Sequence, residues 1–207
     1  MALLMVHLLV AELWAQDHPQ YLNSPEFYLG VISPDAVHVR DHNDKSHKDE
    51  IHLYNWRTLH REPVEAYWRQ RSAPFDIGYG VHVLTDCQWV ARYMERLPEI
   101  IKPDGLLNVD IYYNDTFATD FELYRNLPRL QTIIDMLPKA VVPDDHPKLG
   151  YREFSEGRRL MVEAYHGACP AKEPVRFITR DYVEAFARDA VPLIEVIYGD
   201  VFGTETA

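Results

Sequence analysis

His82 and Asp86 are the two residues whose types and spacing most directly indicate chemistry. They lie four positions apart in the apolar segment Gly78–Trp89, and a helix there would place the imidazole and the carboxylate on one face, about one turn apart. An isolated carboxylate buried in such a segment costs several kcal/mol, so Asp86 needs a strong partner. A metal ion is the strongest partner available. The alternative is a histidine of the core paired with the aspartate.

Three further residues could join this pair. His7 lies in the apolar segment near the start of the chain, Asp35 follows an apolar run and a proline, and His47 lies in a polar, histidine-rich stretch. Imidazole and carboxylate groups are the ligands that zinc and related first-row metals use in hydrolases. Neither cysteine belongs to a zinc-like Cys pair, so we expect a catalytic rather than a structural metal site.

Two more acids, Asp115 and Asp120, lie in a strongly aromatic segment that follows the His82 helix. They are candidates for completing a second metal site or for acting as general base to a bound water. Their spacing of five does not place them on one stripe of a helix. The alternative is that both are solvated acids on the helix surface.

Four features in this order resemble the successive motifs of the zinc-dependent phospholipase C family. They are His7, Leu29–Asp35, Lys45–His47 and Gly78–Asp86. The resemblance implies an all-α phosphoesterase whose first zinc is held by Asp35, His47, His82 and Asp86. It also implies that His7 binds a second ion, which Asp86 bridges to the first.

The chain also departs from that family. The clustered histidines and glutamate that bind a further metal in the three-zinc enzymes have no counterpart after Asp86, and the metal-binding N-terminal tryptophan is missing. We therefore expect one or two ions, with zinc first and iron or manganese as alternatives.

The expected reaction is hydrolysis of a small, soluble phosphoric ester by a metal-activated water. Two other functions stay open. The first is a protein that binds metal without turnover. The second is a nucleotide phosphohydrolase built on an adjacent His-Asp doublet, although no histidine here is followed directly by aspartate.

Composition limits the partners. A net charge of -11 without a basic stripe argues against nucleic acid as a partner. Two cysteines are too few for a disulfide framework, and no apolar run approaches the roughly 20 residues of a membrane-spanning helix. We expect a cytoplasmic protein in which residues 1–207 form one domain; the sequence does not indicate its oligomeric state.

The candidate residues must be positioned by helices. Apolar spacing, proline and N-cap signals predict helices over residues 2–16, 25–29, 62–71, 74–101, 106–125, 127–137, 151–168 and 179–202. Gly30 is predicted to end the second of these, and residues 31–35 to form a buried loop. No alternating strand pattern occurs, so the predicted fold is an all-α, multi-helix bundle.

Overall fold

The computed structural model describes residues 2–41, 47–53 and 61–203, with the backbone alone for residues 93–96. The described residues are mostly helical and contain no β-strand beyond one backbone bridge between Ile101 and Leu107, which confirms the predicted all-α bundle. The helices are α1 (Leu4–Ala15), α2 (Pro19–Leu22), α3 (Pro25–Ile32), α4 (Val37–Arg40), α5 (Lys48–Ile51), α6 (Glu62–Gln70), α7 (Pro74–Arg96), α8 (Val109–Asn126), α9 (Pro128–Met136), α10 (Tyr151–His166) and α11 (Arg180–Phe202).

Each helix predicted from the sequence is present, with its ends shifted by a few residues. Two of them begin where the capping signals indicate. The Ser24 hydroxyl accepts a hydrogen bond from the Phe27 amide at 3.2 Å, and the Thr179 hydroxyl accepts one from the Tyr182 amide at 3.2 Å. Each cap satisfies an amide that the first helical turn leaves without a partner, which is worth about 1 kcal/mol.

The predicted end at Gly30 and the predicted loop over residues 31–35 are wrong. Helix α3 continues through Gly30 to Ile32, and a 3-10 turn, Ser33–Ala36, follows directly. Gly30 lies where α3 crosses α7, and a Cβ atom on it would be 1.9 Å from the Phe75 carbonyl oxygen. The glycine is therefore needed for close helix contact rather than for a helix end.

Helix α7 is the central element of the bundle. It packs against α1, α3, α6 and α11, and its contact with α3 is the most extensive in the molecule's described part. Tyr79, Leu84 and Trp89 on this helix are fully buried. Polar side chains on α7 are therefore held in a dry, rigid environment, which is where His82 and Asp86 lie.

Helix α1, which carries His7, is fixed by the last helix of the chain. The Trp14 indole donates a hydrogen bond to a Glu195 carboxylate oxygen at 2.9 Å, and the His18 ring lies 2.6 Å from the same oxygen. The hydroxyl groups of Tyr21 and Tyr198 are 3.3 Å apart. These contacts join α1 and the segment after it to α11.

The helices can also be compared with the dimensions of a membrane. Within residues 2–41, 47–53 and 61–203, none of them combines the length and the apolar character that crossing a membrane requires.

Candidate metal centre

Helix α7 places His82 and Asp86 together in the core, as their spacing predicts. Both residues are 0% exposed, and the His82 Nε2 atom lies 3.8 Å from Asp86 Oδ2. The Ala2 amide donates a hydrogen bond to the other oxygen, Oδ1, at 2.8 Å. The carboxylate therefore has one oxygen held by backbone at the start of the chain and one oxygen facing the imidazole.

The orientation of the His82 ring is fixed by α3. Its Nδ1 atom lies 2.7 Å from the Val31 carbonyl oxygen, which only accepts, so Nδ1 carries the proton and Nε2 presents a lone pair. Nε2 makes no hydrogen bond within the part of the chain that the structure describes. Burial, and next the proximity of His7, lower the pKa of His82 to about 3. A neutral imidazole with a backbone-bound Nδ1 is the usual form of a metal ligand.

His7 lies directly against His82. The two rings stack with centroids 3.8 Å apart and planes 7° apart, and the His7 Nε2 atom lies 3.4 Å from Asp86 Oδ1. The residue is 1% exposed, yet neither ring nitrogen makes a hydrogen bond to another described residue. Leaving buried polar atoms without partners costs about 1–3 kcal/mol each, so native structures rarely do so without a reason.

Asp35 and His52 complete the cluster. The His52 Nε2 atom lies 3.4 Å from Asp35 Oδ1 and 3.7 Å from Asp86 Oδ2, while its Nδ1 lies 3.0 Å from the Lys48 carbonyl oxygen. His52 thus presents Nε2 toward the carboxylates in the way that His82 does. Burial raises the pKa of Asp35, but contact with His52 and proximity to His82 outweigh burial and hold it well below its usual value.

These five side chains form two overlapping groups with metal-ligand chemistry. In each group the donor atoms lie within 4.8 Å of one another: His7, Asp35 and His82 in one, and His52, His82 and Asp86 in the other. Ligands at 2.0–2.2 Å from a tetrahedral zinc ion are themselves about 3.4 Å apart. The separations of 3.4–3.8 Å among the cluster's nitrogen and oxygen atoms are therefore close to those of a ligand shell.

The structure does not bring His47 to this cluster. Its side chain is 57% exposed, and its Nδ1 atom lies 3.3 Å from a carboxylate oxygen of Asp41. His52, which the sequence analysis passed over, lies where His47 was expected. One signal distinguishes them: His52 stands between Ile51 and Leu53, whereas His47 stands between Ser46 and Lys48. Lys45 and Ser46 of the motif lie outside the described residues.

Asp115 belongs to neither group and is buried rather than solvated. One of its oxygens accepts hydrogen bonds from three consecutive amides, those of Arg176 at 3.1 Å, Phe177 at 2.7 Å and Ile178 at 3.2 Å. A carboxylate with three such donors anchors backbone, here the segment that leads into α11. This environment fits a structural role.

Asp120 is also buried and also lies outside both groups. Its Oδ2 atom accepts hydrogen bonds from the Tyr165 hydroxyl and, at 3.1 Å, from the Met5 amide at the start of α1. Burial raises the pKa of Asp120 to about 6, against the lowering effect of these hydrogen bonds. The residue therefore fixes the first turn of the helix that carries His7.

Comparison with known proteins leaves the function to be argued from this geometry. The chain matches no family model, and neither a curated protein nor a solved structure matches it. The likeness of its motifs to the zinc-dependent phospholipase C family therefore stays a prediction from the residues alone.

Proposed function

We propose that the chain is a metal-dependent hydrolase of phosphoric esters and that its metal centre comprises the five clustered side chains, His7, Asp35, His52, His82 and Asp86. The observation that carries the proposal is the convergence of imidazole and carboxylate donors from four separate segments on a buried point. Two of the imidazoles have their Nδ1 atoms at backbone carbonyls.

The donor set fits one or two divalent cations. The carboxylates of Asp35 and Asp86 carry negative charge in a largely buried volume, and a bound cation would compensate it. Nitrogen and oxygen ligands without thiolates suit zinc, and they also suit iron and manganese. When bound, such an ion lowers the pKa of a coordinated water toward about 7 and polarises a phosphoryl oxygen.

Substrate would reach the centre on the Asp35 side. The Asp35 side chain is 17% exposed, whereas the His7, His52, His82 and Asp86 side chains are each 1% exposed or less. His38 lies beside this opening, with Nε2 3.9 Å from Asp35 Oδ1 and a side chain that is 26% exposed. An imidazole at this position can hydrogen-bond an oxygen of the ester and hold it over the centre.

A second candidate function is metal binding without turnover, for structure or regulation. The near-complete burial of four of the five side chains favours it, because a structural ion needs no access for substrate. The two candidates differ only in what happens after metal binds, so one experiment can separate them.

The test begins with metal analysis of purified protein and of two matched histidine variants. His52→Ala should lose bound metal, whereas His47→Ala should keep it, because His47 is exposed and outside the cluster. Chromogenic phosphomonoesters and phosphodiesters are then offered to the metal-loaded protein. Turnover that disappears in His52→Ala and persists in His47→Ala supports the hydrolase. Metal without turnover supports the second candidate, and protein that binds no metal overturns both.

A further inference from the structure

A surface groove of about 690 Å³ lies between α4 and α10. We call it the α4–α10 groove, and its lining includes His38, Tyr151, Arg152, Ser155 and Leu160. The volume lies within the range of pockets that bind small organic molecules, about 300–1,000 Å³. The α10 residues follow helical spacing, so they form one continuous stripe along the groove.

An adjoining face of α10 is anchored to the bundle. Phe154 is 1% exposed, and a Cβ atom on Gly157 would be 3.0 Å from the Ala36 Cβ atom. The Arg158 guanidinium donates hydrogen bonds to two backbone carbonyls, those of Leu137 at 3.3 Å and Ala140 at 2.9 Å. Because these contacts fix the rotation of α10, the stripe along the groove is held in place.

The groove adjoins the candidate metal centre at His38. His38 lines the groove, and its Nε2 atom is 3.9 Å from the carboxylate of Asp35, a member of the cluster. Gly157 of α10 packs against Ala36, the residue after Asp35. A phosphoryl group at the centre would therefore have the rest of its molecule directed into this groove.

The lining indicates what that part of the molecule would be. Tyr151 and Leu160 offer apolar surface and are 60% and 46% exposed. Glu156, which also lines the groove, is paired with Arg159, whose guanidinium nitrogens lie 2.6 and 2.8 Å from its oxygens and which also pairs with Glu163. Arg152, by contrast, makes no hydrogen bond or close ion pair with a residue of the described ranges, although its charge acts on Glu156 one turn along α10. The groove thus combines apolar walls with the guanidinium of Arg152, whose nitrogens are not in contact with an acidic group of the described residues.

We propose, building on the hydrolase function above, that the α4–α10 groove binds the leaving group of the ester. That leaving group is an alcohol with an apolar ring or short chain that carries an anionic substituent, and Arg152 binds this substituent. The guanidinium matches a carboxylate or a second phosphate in charge and in its planar donor geometry.

The experiment compares two non-hydrolysable probes, phenylphosphonate and 4-carboxyphenylphosphonate, which differ by one carboxylate. Calorimetry with the metal-loaded protein should give a lower Kd for the carboxylated probe. Arg152→Gln should weaken binding of that probe by about fivefold, the size expected for a partly exposed ion pair, and change phenylphosphonate binding less than twofold. Arg188→Gln, which removes an exposed arginine of α11, is the matched control and should leave both Kd values unchanged.

Turnover of phenyl phosphate and 4-carboxyphenyl phosphate by the unmodified protein is measured alongside. The groove assignment would be overturned if Arg152→Gln changed the Kd values of both probes equally, or if Arg188→Gln weakened binding of the carboxylated probe as much as Arg152→Gln does. Either result would count even if the esters are hydrolysed. Arg152-dependent probe binding without hydrolysis of either ester would overturn the hydrolase function while supporting the groove as a binding site. Absence of probe binding would overturn the groove assignment.

Discussion

Replacing Gly78 by alanine should destabilise the protein and loosen the candidate metal centre together. A Cβ atom at this position would be 2.0 Å from the Phe27 carbonyl oxygen and 2.9 Å from the Val31 amide nitrogen. Both neighbours are backbone atoms of α3, so no side-chain rotation can relieve the clash. Helices α3 and α7 would have to separate by about 1 Å to reach the 3.0 Å below which Cβ contacts essentially do not occur.

The magnitude follows from two opposing terms. Overpacking in a core costs about 1–3 kcal/mol, and a backbone clash belongs at the upper end of that range. Alanine in place of glycine in a helix recovers about 1 kcal/mol. The net loss of about 2 kcal/mol corresponds to a fall in Tm of about 4–8 °C for a domain of this size. A shift of Val31 would also stretch its 2.7 Å contact with His82 Nδ1, which should weaken metal binding about tenfold.

Thermal unfolding followed by circular dichroism and a metal titration would measure both effects. Gly157→Ala is the matched comparison, because its Cβ would meet the Ala36 Cβ at 3.0 Å, the Ala36 Cα at 3.3 Å and the Val39 Cγ2 at 3.7 Å, with no contact below 3.0 Å. We expect its Tm to lie within about 2 °C of the parent's, since propensity and packing nearly cancel. A Gly78→Ala protein that unfolds at or above the parent's temperature would refute the close-contact argument.

Three further predictions concern buried groups outside the cluster. Asp115→Ala should lower the free energy of unfolding by about 2–3 kcal/mol, because it removes an acceptor of three amides, and should leave metal content unchanged; metal loss would contradict the structural role. Burial raises the pKa of Asp120 from 3.8 to about 6, so the stability from its protonated form is present below about pH 4 and is lost as pH rises through 6. In Asp120→Asn, the free energy of unfolding measured with denaturant should depend less on pH over that interval. An unchanged pH dependence would contradict this prediction. Burial lowers the pKa of His146 from 6.5 to about 4, so stability should fall as pH drops through this interval, and less so in His146→Gln; equal slopes in both proteins would contradict this.

The sequence predicted the helices because long amphipathic segments with caps carry strong signals. It did not predict α2, α4 and α5, which have four residues each, too few for a 3.6-residue period to be recognised. The sequence also predicted a helix end at Gly30, because a glycine within a helix cannot be told from a glycine that ends one by sequence alone. Only the contact with Phe75 across the bundle distinguishes the two cases.

The candidate site was predicted where its residues lie within apolar segments. His7, Asp35, His82 and Asp86 follow or interrupt apolar runs, and the structure brings all four together. The polar stretch after α4 has too few apolar residues to show which of its side chains face the core. The choice among its histidines therefore rested on the family resemblance alone. The available signal was the pair of apolar neighbours of His52, Ile51 and Leu53. A residue between two apolar side chains that pack on the core lies close to the core itself.

The pairing of α1 with α11 sets the order in which this protein can mature. Trp14 and Glu195 are 181 residues apart in sequence, and at synthesis rates of about 5–20 residues per second their contact lags the emergence of α1 by tens of seconds at most. Until then the helix bearing His7 packs against α3, α7, α8 and α9 but lacks its contact with α11, so under the proposed function a ribosome-bound chain stalled before α11 should hold ions poorly. Assembly of the proposed metal centre is thereby delayed until the ribosome has passed α11.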